Sequence, residues 1–142
     1  MVANSLEKTF IVTVANVGGT NVFVLDGVNK PALQIVRGNE YIFDVSNASV
    51  SGHPLAFRDS SDNSWTSGVT VTGTAGNAGA TVKFEVPSNA PSTLKYYCTS
   101  HGNGMGNTIA TEQNDIAVVV QNIGEINGFA ARYKVSSSAP LS

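Results

Sequence analysis

Three features of the 142-residue sequence predict an all-β chain, folded as a β-sandwich or small barrel of about eight short strands. Its composition mixes β-formers with turn-formers, 14 Gly and 5 Pro among abundant Val, Thr, Asn and Ser. Apolar residues alternate with polar ones over short runs, and Gly, Pro and Asn punctuate those runs at short intervals. No segment carries the apolar periodicity of a long helix.

The clearest strand is 81–86, where Val82, Phe84 and Val86 face inward and Thr81, Lys83 and Glu85 face water. Similar runs fall at 10–14, 22–25, 33–36, 41–45, 55–57, 94–98 and 116–120. Gly18-Gly19, Asp26-Gly27, Arg37-Gly38-Asn39 and the stretch from Pro87 to Pro91 supply turns between them. The Gly-rich stretch 73–79 reads as a flexible connection. A single domain is expected over 1–135, with its core at about 8–121, an extra β segment at 122–135 and a flexible polar tail at 136–142. A faint echo links 16–23 with 122–129, too few identities to carry function.

Eight Lys+Arg against ten Asp+Glu give a formal net charge of -2, which offers no basic surface for phosphates and argues against nucleic-acid binding. No apolar run approaches the roughly 18 residues of a membrane helix, so membrane insertion is not expected. Residues 1–15 contain Glu7 and Lys8 and lack the apolar stretch of a signal peptide. The compartment stays open: the periplasm or thylakoid lumen if an export signal has been removed, otherwise an intracellular site. One cysteine excludes an internal disulfide and leaves a single thiol to explain.

That thiol, Cys98, closes the run Thr93-Leu94-Lys95-Tyr96-Tyr97-Cys98, whose period of two places Leu94, Tyr96 and Cys98 on the inner face. A lone inward cysteine is ordinarily a small buried hydrophobe. Here it is followed by Thr99-Ser100-His101-Gly102-Asn103-Gly104-Met105-Gly106, a Gly-rich loop that adds an imidazole and a thioether. Glycines 102, 104 and 106 allow the positive φ angles of a tight loop. The other histidine, His53, opens an earlier strand in Ser51-Gly52-His53-Pro54-Leu55. Two His, one Cys and one Met form the donor set of a copper electron-transfer site, whereas structural zinc sites use thiolates and imidazoles and not thioethers. A phosphate-loop reading of 102–106 fails, because no strand–loop–helix unit with Lys and Ser/Thr surrounds it.

On these residues the sequence resembles the cupredoxins, the small blue copper proteins such as plastocyanin and azurin, over most of 8–121. The resemblance implies a Greek-key β-sandwich of the cupredoxin type holding one type 1 copper ion. His53 and His101 would bind through Nδ1, Cys98 through its thiolate, and Met105 as the long axial ligand. It implies a one-electron carrier rather than an enzyme, because four protein donors leave no open position for substrate. Redox protein partners would dock near His101, the carrier would be a monomer, and Thr99, Ser100 and the loop backbone would orient the ligands. Tyr97 resembles the exposed tyrosine through which plastocyanin meets some partners.

The sequence departs from the family pattern in three places. Cys-x₂-His is the plastocyanin interval and His-x₃-Met the azurin one, so the loop is a hybrid. Pro54 follows the first histidine and has no N–H to give the cysteine sulfur, which predicts a lowered reduction potential. About twenty residues beyond Val120 exceed the compact pattern, which keeps open a structural or binding module of a larger extracellular or virion protein. A thiol enzyme built on Cys98 and a histidine is the remaining reading, and it requires an accessible thiol.

Overall fold

The computed structural model describes residues 6–113, 134–136 and 139–141. Its first compact unit, Ser5–Glu112, is the expected all-β sandwich. Ten strands build it: β1 Glu7–Val17, β2 Thr20–Leu25, β3 Val28–Asn29, β4 Leu33–Val36, β5 Glu40–Asp44, β6 Leu55–Asp59, β7 Val69–Thr72, β8 Thr81–Glu85, β9 Thr93–Cys98 and β10 Thr108–Glu112. The only helical pieces among the described residues are two three-residue 3-10 turns, Ala48–Val50 and Asn103–Met105.

Six strands form one sheet in the order β3-β2-β1-β5-β8-β7, and four form the other as β4-β10-β9-β6. The long β1 serves two partners, pairing parallel with β5 from Glu7 to Ile11 and antiparallel with β2 from Val12 to Val17. In the smaller sheet β10 runs parallel to β4 and antiparallel to β9, and β9 runs antiparallel to β6 with Leu55 opposite Cys98. These non-sequential neighbours are the crossovers expected of a Greek-key sandwich.

The inward faces meet in one apolar core. Phe57 of β6 reaches across to Phe84 and Phe43, with ring centroids 4.9 and 5.5 Å away. Phe10 stacks on Phe43 at 5.1 Å from the partly buried rim. Tyr96 is fully buried, yet its hydroxyl donates to the Pro31 carbonyl at 2.7 Å, which satisfies its polar atom. Burial pushes the Tyr96 phenol well above its usual range.

Three strands of the sandwich went unread in the sequence, each for a local reason. β3 has two residues, both exposed. β7 is a sheet edge whose Val71 is 66% exposed. β10 buries only Ile109 and Thr111, too few to stand out as an alternating run. The stretch 73–79 is built of tight turns rather than loose chain: Gly76 N–H donates to Val45, Asn77 to Thr74 and Ala80 to Asn77.

In the second compact unit, Lys134–Ser136 (β11) pairs antiparallel with Ala139–Leu141 (β12). The strand expected at 116–120 and the extra segment up to residue 133 lie outside the described residues. Among the described residues no helix is long and apolar enough to cross a membrane.

Candidate metal centre

Backbone pairing at the β6–β9 edge brings the site together. Cys98 ends β9 with its side chain wholly buried, as the alternation from Leu94 through Tyr96 requires. Its cross-strand partner is Leu55, so the two residues just before β6, His53 and Pro54, flank it. His53 is set by the preceding 3-10 turn, where its N–H donates to Val50 O at 2.9 Å. Asn47 caps that turn, accepting from Ser49 N at 2.9 Å and Ser49 Oγ at 2.7 Å. Thr99 N–H donates to Pro54 O at 3.0 Å, which ties the two ligand-bearing segments directly.

After Cys98 the chain folds back at once. Gly102 N–H and His101 N–H both donate to Cys98 O, at 2.7 and 3.2 Å, and Cys98 N–H donates to Gly102 O. Gly102 takes a φ of +84°, a conformation that only glycine adopts cheaply. Gly106 matters for a different reason: a side chain there would run into the Tyr96 carbonyl. Gly104 has neither constraint, which narrows the expectation that all three glycines shape the loop by positive φ.

The result is a convergent donor set. His53 Nδ1 and His101 Nδ1 are 3.2 Å apart, and Cys98 Sγ lies 3.8 Å from the first and 3.5 Å from the second. A point equidistant from all three atoms sits about 2.0 Å from each, close to the roughly 2.0–2.3 Å of metal–imidazole and metal–thiolate bonds. The three residues form a group able to hold a metal ion. No carboxylate belongs to it, which disfavours hard cations that need oxygen donors. Desolvation first, and repulsion from His101 second, hold the His53 pKa below its ordinary value and favour the neutral, metal-binding imidazole.

Met105 is not one of these three, but it lines a cleft together with His101. It ends the second 3-10 turn and is 2% exposed, and the cleft, of about 330 Å³, is completed by Gly104 and the β1–β2 hairpin residues Asn16, Gly19, Thr20 and Asn21. His101 is exposed, His53 half-buried and Cys98 inaccessible. The thiol is buried, whereas a thiol enzyme requires an accessible one. Among the described residues, the polar neighbours of Cys98 Sγ are the two imidazole nitrogens and no backbone N–H.

Two features escaped the sequence. Tyr97 points away from the core as expected but is only 7% exposed, because the Arg58 guanidinium lies 3.7 Å over its ring. The expectation of an exposed tyrosine is therefore corrected. The second is a polar net that grips the ligand loop from outside. Asn103 accepts from Arg58 Nη1 and donates to Asp62 Oδ1, each at 3.0 Å, and Asp62 also accepts from Lys95 at 2.9 Å. Asn103 stands 45 residues from Arg58 and 41 from Asp62 and shares no motif with them; only the Asp-rich turn at 59–63 marks the place.

No protein-family profile and no curated protein sequence matches the chain. Among solved structures it is similar to a multicopper oxidase at 19% identity and TM-score 0.44, covering 76% of this chain and 39% of that one. It is similar to a blue copper oxidase from Nitrosomonas europaea at 21% identity and TM-score 0.46, with coverages of 76% and 39%. A copper nitrite reductase from the same organism matches at 15% identity and TM-score 0.47, with coverages of 79% and 43%. The chain thus spans about two fifths of the length of these structures.

Proposed function

We propose that the chain is a cupredoxin-type domain in which His53, Cys98 and His101 would hold one copper ion, with the Met105 thioether as a weaker fourth donor, and that it carries single electrons. The observation that carries this reading is the triangle of two imidazole nitrogens and one thiolate sulfur with a metal-sized centre. Copper held there would supply a one-electron couple, Cu(II)/Cu(I). The protein's part is to keep the donors fixed: the 3-10 turn before β6 holds His53, β9 holds Cys98, and the backbone bonds around Cys98 O hold His101. Donors fixed by a sandwich rearrange little between oxidation states, which favours rapid transfer.

The exposed edge of His101 supports its role as the electron port, with redox protein partners docking over the cleft beside it. The low net charge of -2 implies weak long-range steering, so fit around His101 decides partner choice. We read the carrier as a monomer without substrate turnover. The test is titration with Cu(II), which is expected to raise an intense visible thiolate-to-copper band that Cys98→Ser abolishes. Absence of that band in the wild type overturns the copper reading. A loaded protein that is not reversibly reduced would instead assign the domain to structural or binding duty in a larger assembly.

A further inference from the structure

We propose that Asn103 is a positioning residue for the metal site: from the protein surface it clamps the loop that carries His101 and Met105 onto the β6–β9 edge. The proposal rests on the copper reading for its purpose, but not for its geometry. Asn103 lies midway between His101 and Met105, and both halves of its amide are used, Oδ1 by Arg58 and Nδ2 by Asp62.

Each anchor is itself fixed to the strands that carry the other ligands. Arg58 and Lys95 are cross-strand partners on β6 and β9, in the same ladder as Leu55 and Cys98. Arg58 lies flat over Tyr97, the residue next to Cys98, and Lys95 holds Asp62. Asp62 also tops a tight turn in which Asp59 accepts from the N–H groups of Ser61 and Asn63. The far side of the loop is held separately, by Lys30 Nζ donating to Gly104 O at 3.4 Å and Asn107 Nδ2 donating to Lys30 O at 2.9 Å.

Such exposed polar contacts add little to global stability. Their effect is local: with the sandwich intact, they set how often the loop opens above the buried Cys98 thiol. The clamp therefore predicts changes at the site that are out of proportion to any change in melting temperature.

Alkylation of Cys98 by iodoacetamide in the metal-free protein reads that opening directly. Asn103→Leu is expected to speed alkylation about tenfold by removing two hydrogen bonds, at nearly unchanged melting temperature. Asn103→Asp is expected to do likewise, because its carboxylate would face Asp62. Adding Asp62→Asn to that variant relieves the like-charge contact and is expected to return the rate to within about twofold of wild type. On loading with Cu(II), the visible band is expected to shift in Asn103→Leu and return in the double variant. The clamp is overturned if Asn103→Leu alkylates within about twofold of wild type, or if the double variant is no slower than Asn103→Asp alone. Should Asn103→Leu fail to fold, the Asn103→Asp pair decides. Should the wild type not bind Cu(II), the proposed function fails while the alkylation order still tests the clamp.

Discussion

Pro54 is the residue whose chemistry is simplest to isolate. It stands between His53 and the strand that faces Cys98, its carbonyl accepts from Thr99, and it has no N–H to offer the sulfur. A thiolate with fewer donors keeps more electron density and favours the oxidised metal. Pro54→Asn or Pro54→Ser is therefore expected to raise the reduction potential of the copper-loaded protein, measured by voltammetry; an unchanged or lower potential would reject the argument. Tyr96 offers an independent test of packing. Tyr96→Phe keeps the ring and orphans the Pro31 carbonyl, so a loss of about 1–2 kcal/mol in urea unfolding is expected. Residue identity made Cys98, His101 and His53 legible as a candidate donor set, because borderline ligands at those intervals have few other uses, and it marked Met105 as a fourth candidate. The cover on Tyr97 was not legible, since Arg58 comes from another strand and nothing local to Tyr97 announces it.

The element that decides the site is the connection between β9 and β10. Its first turn depends on the positive φ of Gly102, and its exit depends on Gly106 lying against the Tyr96 carbonyl. Gly106→Ala should therefore destabilise by about 1–3 kcal/mol through overpacking, while Gly104→Ala, with open space around it, should stay within about 0.5 kcal/mol. Chemical denaturation of the two variants checks this; equal effects would mean that the loop relaxes around either side chain. Strands with full alternation, such as β5 and β8, are written into their sequences because half of each faces the core. Edge strands such as β7 are not, because their apolar residues remain exposed and burial is what creates the pattern.

At the scale of the sandwich, Phe57 carries the contact between sheets. Phe57→Ala is expected to cost about 3–5 kcal/mol, since it empties a fully buried position against Phe43 and Phe84. Acid sensitivity is the second whole-molecule property. Hydrogen bonds from Lys8 and the Ile11 N–H hold the Asp26 carboxyl below its ordinary pKa, and Asp44, Asp59 and Asp62 are lowered by their own donors. A group whose folded pKa is depressed contributes stability above its unfolded pKa and loses it as pH falls through the folded value. Asp26→Asn is thus expected to lower the urea midpoint at neutral pH, and the gap from wild type should close as pH falls below about 4. A gap that stays constant with pH would show that the Lys8–Asp26 pair does not act through charge.

By itself the sequence determined the class of fold and the chemistry of the donors. Alternation is a one-dimensional record of burial, and ligand type is a property of the side chain alone. Only the tertiary structure decided that Leu55 faces Cys98 and so brings His53 to 3.2 Å from His101. It also decided that Met105 is buried, that Tyr97 lies under Arg58, and that Asn103 is gripped by Arg58 and Asp62. Each of those depends on register between strands distant in the chain, and register is fixed by the packing of the whole sandwich.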